Sequence, residues 1–340
     1  MSSSPLSIAS AGSITMVQGI EVGHFTDTRR PTGCTAILAK AGAVGGVDVR
    51  GAAPGTRETD LLHPTNLVER VHAIMLAGGS AWGLDAASGA MRWLEEQGVG
   101  LDISVGRIPL VPAAVLFDVL VGDMRIRPDA QAGYAACQAA SSAMPAQGNV
   151  GAGAGAAVGK IFGIQRAMKG GIGTASVTVD GVTVGAIIAC NALGDVLHPD
   201  TAQVVAGART RDGLGLIDTR RALLRGEPPQ PLLAGTNTTI GVIATDAIIT
   251  KAQASRLATV GHDGLARAIN PVHTMSDGDT LFCLGTGAAG RSLGMMVLAT
   301  MAAEAVAQAT LQAVLHANRL QIDAGENHKA LHLPCAADLQ

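Results

Sequence analysis

The residues most able to do chemistry lie at one junction, where a charged, proline-bearing segment ends and an apolar segment begins. The junction reads Gly235-Thr236-Asn237-Thr238-Thr239. A threonine hydroxyl is a weak nucleophile, but an N-terminal threonine has an α-amine, of pKa about 7.7–8.0, that can act as its base. The junction therefore suggests a chain that cuts its own backbone to expose a threonine. Polar residues that merely begin a strand are the commoner explanation of Asn-Thr-Thr.

In such a cut, the threonine hydroxyl attacks the carbonyl carbon of the preceding residue, and the acyl group shifts from nitrogen to oxygen. Water then hydrolyses the resulting ester. The attacked bond must be held in a dry, fixed geometry, which a linker followed directly by a buried strand can provide. From the residues alone, Thr236, Thr238 and Thr239 all remain candidates.

Two carboxylates downstream, Asp277 and Asp279, are separated by one glycine. On an extended segment they point to one side, where each raises the pKa of the other and the two can share a proton. A solvated turn is the commoner meaning of Asp-Gly-Asp. Of the nine histidines, only His328 and His332 have the spacing of metal ligands, so no metal site is predicted.

Lys160 and Asn191 each follow an apolar segment. A buried lysine has a lowered pKa and can carry a proton or pair with a carboxylate. The asparagine is either a turn residue or an amide donor for an oxyanion. The glycine-rich segment 148–159 matches neither the phosphate-loop nor the dinucleotide pattern, so no cofactor is predicted.

Composition limits the partners and the location. Apolar residues make up 48% and charged residues 15% of 340 residues, which predicts a large core and contacts between copies of the chain. A net charge of −3 without a basic stripe argues against nucleic acid. The five cysteines lack a Cys-x-x-Cys pair and predict free thiols in the cytoplasm. No secretion signal or membrane-spanning run is recognised.

The pattern of apolar residues predicts the elements that position these side chains. Strands are predicted at 17–24, 35–40, 44–49, 71–77, 175–179, 182–189, 239–245 and within 271–285, and helices at 81–97, 129–143, 250–267 and 291–318. The segment 207–235 predicts a surface linker or mobile loop, and the tail from Gln321 a frayed end. Strand pairs mixed with long helices predict an α+β layered fold with helices covering the sheets.

Short motifs spread along the chain resemble, in their order and spacing, the DmpA-type family of self-processing amidases. They are VGH at 22–24, LAGGSAWGLD at 76–85, VPAA at 111–114, VGK at 158–160, NALGD at 191–195, NTTI at 237–240 and DGDT at 277–280. The family includes L-aminopeptidase/D-esterases, β-peptidyl aminopeptidases and 6-aminohexanoate-oligomer (nylon oligomer) endohydrolases.

The resemblance implies a single domain over 1–340 with the fold of this family, an αββα four-layer sandwich like that of N-terminal-nucleophile hydrolases. It implies cleavage between Asn237 and Thr238 into an α fragment, 1–237, and a β fragment, 238–340. It also implies a homo-oligomer, expected here as a tetramer of such heterodimers, and a small linear amide or peptide as substrate.

Five residues match functional positions of the family. Thr238 matches the nucleophile, which is serine in the aminopeptidases and threonine in the nylon-oligomer enzymes. Asn191 matches the asparagine on the oxyanion side, and Lys160 matches a lysine of the nylon-type site. Asp277 and Asp279 match the Asp-x-Asp pair of the nylon-type enzymes, where the aminopeptidases have Ser-x-Glu.

The chain departs from the family at Phe117, a candidate substrate-binding residue, where many members have a tyrosine; Tyr134 is not its equivalent. The resemblance implies a self-processing amidase that hydrolyses linear 6-aminohexanoate oligomers internally. An aminopeptidase of unknown peptide specificity is the alternative. A non-enzymatic, unprocessed binding protein on the same fold is the second alternative.

Overall fold

The computed structural model describes residues 12–231 and 237–339, and this part of the chain contains 18 strands and five α-helices. The strands are β1 (Glu21–Thr26), β2 (Gly33–Val49), β3 (Thr56–Arg57), β4 (Arg70–Ala77), β5 (Leu101–Asp102), β6 (Arg107–Ile108), β7 (Ala113–Val115), β8 (Ala157–Val158), β9 (Met168–Lys169), β10 (Gly171–Val179), β11 (Val182–Asn191), β12 (Asp195–Leu197), β13 (Val204–Ala206), β14 (Thr238–Thr245), β15 (Ile269–Asn270), β16 (Thr280–Gly285), β17 (Leu320–Ile322) and β18 (Leu331–Leu333). The helices are α1 (Ala86–Glu96), α2 (Ala130–Gln138), α3 (Thr219–Leu224), α4 (Lys251–Ala268) and α5 (Met295–Leu315).

The main sheet has the order β10-β11-β14-β16-β2-β4-β7-β3, with β1 paired to the first half of β2. The pairs β14–β16 and β4–β7 are parallel, and the other pairs of the sheet are antiparallel. Strand β2 spans 17 residues, and its register to β4 shifts between Leu38 and Ala43. Its first half pairs with β1 and β4, and its second half pairs with β16. This one strand therefore joins two halves of the sheet.

Three apolar cores show that the two halves stack face to face. The core between them contains Ile37, Ile74, Ile187, Val242 and Phe282, which come from strands of both halves. A second core covers the outer face of β2 and β4 with α1 and α2, and a third covers β11, β14 and β16 with α4 and α5. The layers follow in the order helix, sheet, sheet, helix, so the αββα sandwich implied by the resemblance is confirmed.

Local sequence signals explain several of these elements. The β10–β11 hairpin turns at Asp180 and Gly181, both with positive φ, as Asp-Gly favours. Thr250 and Gln253 form a reciprocal capping box at the start of α4. The runs 35–40 and 44–49, predicted as two strands, are the two halves of β2.

Helix α5 is long and apolar enough to cross a membrane by length and composition alone, but 67% of its most apolar window is buried within the protein. Even the polar side chain of Gln312 in this helix is only 5% exposed. In the described residues α5 is therefore a core helix that packs on β10, β11 and α4.

Two predictions about irregular segments are wrong. The tail forms the β17–β18 hairpin, with Leu331 and Leu333 buried, instead of fraying. The described part of the predicted mobile loop, 207–231, contains α3 and packs through Ala208 and Ala222 beside Ile161. Arg220 and Arg221 are exposed, whereas Ala208 and Ala222 are buried. The remainder of that segment, 232–236, lies outside the described residues.

A buried ion pair fixes the loop that follows β7. The Arg30 guanidinium bonds the Asp118 carboxylate at 2.7 Å, and both side chains are fully buried. Arg30 also donates to the backbone carbonyl of Val121 at 2.7 Å, while Asp118 accepts from the Thr32 hydroxyl at 2.7 Å and the Gly79 N–H at 2.8 Å. Every oxygen of the carboxylate is thus satisfied, as a buried charge requires.

We expect Arg30→Met to lower the free energy of unfolding by about 3–5 kcal/mol, because it leaves the Asp118 charge buried and unpaired. Urea unfolding of the variant beside the parent measures this loss. Arg29→Met is the matched control, since Arg29, which pairs with Asp27, is 69% exposed to water. Equal losses in the two variants would contradict the assignment.

Candidate active site

The peptide bond between Asn237 and Thr238, at the start of β14, is held by hydrogen bonds to the segment 276–278. Asn237 forms a parallel bridge to Asp277. Its N–H donates to the Ser276 carbonyl at 3.3 Å, and its carbonyl accepts from the Gly278 N–H at 3.0 Å. Asn237 and Thr238 are only 1% and 3% exposed. The bond is therefore dry and fixed, as the sequence-based hypothesis of self-cleavage requires.

The Thr238 hydroxyl lies against that same bond, because Oγ1 hydrogen-bonds the Asn237 carbonyl oxygen. Successive side chains of a strand point to opposite faces, so Thr239 directs its side chain away from this position. Thr236 lies outside the described residues. Of the hydroxyls that the structure describes at the junction, only that of Thr238 contacts the Asn237 carbonyl.

The glycine between the two aspartates allows this close approach. A Cβ at Gly278 would lie 3.0 Å from Thr238 Oγ1 and 2.6 Å from the Ala53 carbonyl oxygen. Backbone cannot give way as the end of a flexible side chain can, so any larger residue would push the segment away from β14. The Gly278 N–H that bonds the Asn237 carbonyl depends on the same contact.

Asp277 and Asp279 are both buried but are held by separate donors. Asp277 accepts from the Thr274 hydroxyl at 2.6 Å and its N–H at 2.8 Å. Asp279 accepts from the Thr239 N–H at 2.7 Å through Oδ1, and from His273 Nδ1 at 2.8 Å through Oδ2. Burial, and then the charge of Asp279, raise the pKa of Asp277 above its usual value. The rise in pKa expected from the sequence thus holds for Asp277, whereas these bonds do not show a proton shared between the carboxyls.

Lys160 is buried beside the start of β14. Its Nζ donates to the Asn191 carbonyl oxygen and to Asn191 Oδ1, both at 2.8 Å. Asn191 in turn is the cross-strand partner of Thr238. Burial lowers the pKa of Lys160 to about 7, although the charge of Asp277 acts to raise it. At neutral pH a substantial fraction of this lysine is therefore an uncharged amine.

The amide of Asn191 has a fixed orientation. Its Oδ1 accepts from Lys160 Nζ and also from the Ala157 N–H at 3.0 Å, so this atom is the acceptor of the pair. The Nδ2 group then faces the other way and donates to the Phe117 carbonyl at 3.0 Å. One of its two hydrogens makes this bond, and the second is a further donor at the site.

The structure brings Thr238, Asp277, Asp279, Lys160 and Asn191 together from four separate parts of the chain. Phe117 contributes its carbonyl oxygen, which bonds the Asn191 amide. Tyr134 lies on the outer face of α2, where it donates to Glu96 at 2.6 Å, so it does not replace the family tyrosine. Sequence reasoning missed His273 and Thr274, although both stand directly upstream of Asp277-Gly278-Asp279.

The described residues contain no group of three or more His, Cys, Asp or Glu side chains that could hold a metal ion. The polar groups of the site already bond one another or the backbone. The chemistry available here is proton transfer and nucleophilic attack by a hydroxyl.

Comparisons with known proteins agree on one family. The sequence profile described as Peptidase family S58 matches residues 12–328. An uncharacterized aminopeptidase of Mycobacterium leprae (strain TN) is 45% identical over 312 residues, which cover 83% of this chain and 81% of that protein. A 6-aminohexanoate-oligomer endohydrolase of Kocuria sp. (strain KY2) is 31% identical over 273 residues, covering 79% of this chain and 73% of that protein.

A solved structure agrees on the fold. The L-aminopeptidase D-Ala-esterase/amidase of Ochrobactrum anthropi, described as a variant of the Ntn hydrolase fold, superimposes with a TM-score of 0.70. The alignment covers 98% of this chain and 94% of that chain at 19% identity. At this identity the likeness shows the shared fold.

For the self-cleavage that the sequence predicts, with Lys160 as the base for the Thr238 hydroxyl, we expect scission of the Asn237–Thr238 bond to accelerate as the pH rises through about 7, because Lys160 loses its proton there. In Lys160→Arg the guanidinium stays protonated, and in Lys160→Met no acceptor remains. Both variants should be cut slowly and without the rise near pH 7. Gel quantification of freshly synthesised chain over a pH series measures the rates.

Asp277 is present in the parent and in both variants, and Lys160→Arg also keeps the positive charge that lowers the pKa of this carboxyl. A pH dependence that persists in Lys160→Arg therefore belongs to Asp277, and one that disappears belongs to the amine. A Lys160→Met chain with the pH profile of the parent would show that another group takes the proton.

Proposed function

The chain belongs to peptidase family S58 and is a hydrolase of amide bonds, and we propose that it cleaves itself before Thr238 and then uses this threonine as an N-terminal nucleophile. One observation carries the proposal. The Thr238 hydroxyl and the Gly278 N–H converge on the Asn237 carbonyl oxygen, in a site closed to water. Nucleophile, target bond and a donor for the developing charge are thus assembled in the uncut chain.

In self-cleavage, Thr238 Oγ attacks the Asn237 carbonyl carbon while its proton passes to the neutral amine of Lys160. The negative charge that develops on the carbonyl oxygen is stabilised by the Gly278 N–H, which already bonds this atom. Collapse of the intermediate breaks the C–N bond, and the proton is returned to the nitrogen of Thr238. Water hydrolyses the ester and leaves a carboxylate on Asn237 and a free amine on Thr238.

In turnover, the α-amine of Thr238 takes the hydroxyl proton as Oγ attacks the substrate carbonyl. The free hydrogen of the Asn191 amide, oriented by Lys160, donates to the oxyanion. The amine then protonates the departing nitrogen, and water releases the acyl group from Thr238. Asp277 and Asp279 provide the negative charge that orients the ammonium form of the amine.

The two fragments, 1–237 and 238–340, remain one domain in this proposal. Strand β14 begins with the new N-terminus and lies between β11 from the first fragment and β16 from the second. Every residue of β14 is buried. Cutting the bond therefore removes one covalent link and leaves the hydrogen bonds of the sheet in place.

For the substrate we propose linear 6-aminohexanoate oligomers, hydrolysed at internal amide bonds. Support comes from Thr238, the Asp277/Asp279 pair and Lys160, which resemble the nylon-oligomer site and now lie together. An aminopeptidase is the second candidate, and the 45% identity to a protein named as an aminopeptidase favours it. The two differ in one requirement, since an aminopeptidase needs an anion for the substrate ammonium and an internal hydrolase needs a groove open at both ends.

The cytoplasmic location and the tetramer of heterodimers belong to the same proposal. The five cysteines are buried and free, which suits a reducing compartment. Apolar side chains remain exposed around the β5–β6 hairpin, where Val105 is 91% and Leu101 is 44% exposed. Such a patch is consistent with contacts between copies.

We expect the parent chain to run as two bands on a denaturing gel, the smaller beginning with Thr238, and Thr238→Ala to run as one band without amidase activity. Thr238→Ser keeps a hydroxyl and should still be cut. Thr239→Ala, next to the nucleophile but facing away from it, is the matched control and should also be cut. N-terminal sequencing identifies the cut bond. A single band from the parent would favour the unprocessed binding protein.

We expect the processed enzyme to release 6-aminohexanoate and its short oligomers from linear oligomers faster than p-nitroaniline from amino-acid p-nitroanilides. Blocking the amino end of the oligomer should leave the rate nearly unchanged, because an internal hydrolase does not need a free ammonium. Initial rates at matched concentrations decide the point. A faster reaction on p-nitroanilides, lost when their amino group is blocked, would establish the aminopeptidase instead.

A further inference from the structure

We propose that His273 is a positioning residue that locks the Asp279 carboxylate onto the backbone N–H of Thr239, next to the nucleophile. The inference deepens the proposed function and rests on it for the effect on turnover. The positioning of the Asp279 carboxylate by His273 is argued from geometry alone. His273 does not touch Thr238 in the structure and acts through Asp279.

The two carboxylate oxygens of Asp279 have different hydrogen-bond partners. Oδ1 accepts from the Thr239 N–H at 2.7 Å, and Oδ2 accepts from His273 Nδ1 at 2.8 Å and from its backbone N–H at 3.2 Å. A carboxylate only accepts hydrogen bonds, so the imidazole hydrogen lies on Nδ1. With Asp279 only 1% exposed, water does not compete for these oxygens. His273 is the one side chain among the described residues that bonds this carboxylate.

The remainder of the His273 ring packs against the uncharged ring of His262. The ring packs edge-on against His262 with a centroid distance of 4.8 Å. Burial lowers the pKa of His262 to about 4, and its Nε2 donates to the Asp48 carbonyl at 3.1 Å. His273 Nε2 is buried without a hydrogen-bond partner. The ring therefore makes its one polar side-chain contact through Nδ1, to Asp279.

This contact determines the direction of the carboxylate. Without the imidazole, Oδ2 keeps only the longer backbone bond, and the carboxyl group is free to rotate about its terminal torsion. The hydrogen bond from the Thr239 N–H to Asp279 Oδ1 then lengthens or is replaced by another. Thr239 follows the nucleophile directly in β14, and its N–H holds the Asp279 carboxylate beside Thr238. Without that hydrogen bond, the negative charge of Asp279 would no longer have a fixed position from which to orient the Thr238 amine.

The backbone at His273 supplies a good control. Its φ of 54° lies in the left-handed region, which asparagine adopts more readily than most residues. The amide nitrogen of an asparagine also falls near the place of imidazole Nδ1. His273→Asn thus keeps the backbone and the donor. His273→Gln carries its amide one bond farther out, and His273→Ala removes the donor altogether.

The lock is tested first without catalysis, in the uncut Thr238→Ala chain. We expect hydrogen exchange at the Thr239 amide, followed by NMR, to accelerate about 10-fold or more in His273→Ala and His273→Gln. In His273→Asn it should stay near the parent rate. Unchanged exchange in His273→Ala, or equal acceleration in all three variants, would overturn the proposal.

The effect on turnover is measured in the processed enzyme. We expect kcat to fall about 10- to 100-fold in His273→Ala and His273→Gln, the usual range for partners that orient a functional group. KM should stay nearly constant, and His273→Asn should retain most of kcat. A fall in KM and kcat alike, or one that His273→Asn does not rescue, would show a general structural role and overturn the proposal. An inactive, uncut parent would reject the proposed function and leave the exchange result standing.

Discussion

The site depends on one set of hydrogen bonds, by which the segment 276–279 clamps the start of β14. The Gly278 N–H binds the Asn237 carbonyl, the Ser276 carbonyl binds the Asn237 N–H, and the Asp279 carboxylate binds the next free N–H, that of Thr239. These contacts keep the peptide bond and the hydroxyl of Thr238 in register. The glycine is required because a Cβ there would meet both the hydroxyl and the opposite backbone.

Next to these hydrogen bonds, burial determines the charge state of an ionisable side chain, Lys160. Among the described residues no carboxylate lies within hydrogen-bonding distance of Lys160, which instead donates to two oxygens of Asn191. These two hydrogen bonds only partly replace the hydration that the ammonium form of Lys160 loses on burial, which explains the low pKa of this lysine. The same two bonds orient the amide of Asn191. In the proposed mechanism, a single buried lysine thereby links proton transfer to the stabilisation of an oxyanion.

The sequence predicts structural features that depend on residue type and local pattern. It does not predict features that depend on contacts between distant segments. Helix α4 and the β10–β11 hairpin follow from their capping and turn residues. Thr238, Lys160 and Asn191 follow from motifs within the family resemblance. The role of His273 does not, because it requires the left-handed turn that brings its ring back to Asp279. The β17–β18 hairpin is missed for a similar reason, since its short strands acquire an apolar face only when they pack on the body of the protein.

If the chain cuts itself as we propose, the place of β14 in the middle of the sheet determines the order in which folding and cutting can occur. The clamp forms only after the strands on either side of β14 have paired, so a chain that is still unfolded has no means of cutting itself. Once cut, the protein can no longer return to its native state as a single molecule. Two fragments would have to find each other from solution, and refolding would become second order in protein concentration. Under the proposed self-cleavage, the mature enzyme would be maintained by slow unfolding, because its native state is one that only the intact precursor reaches efficiently.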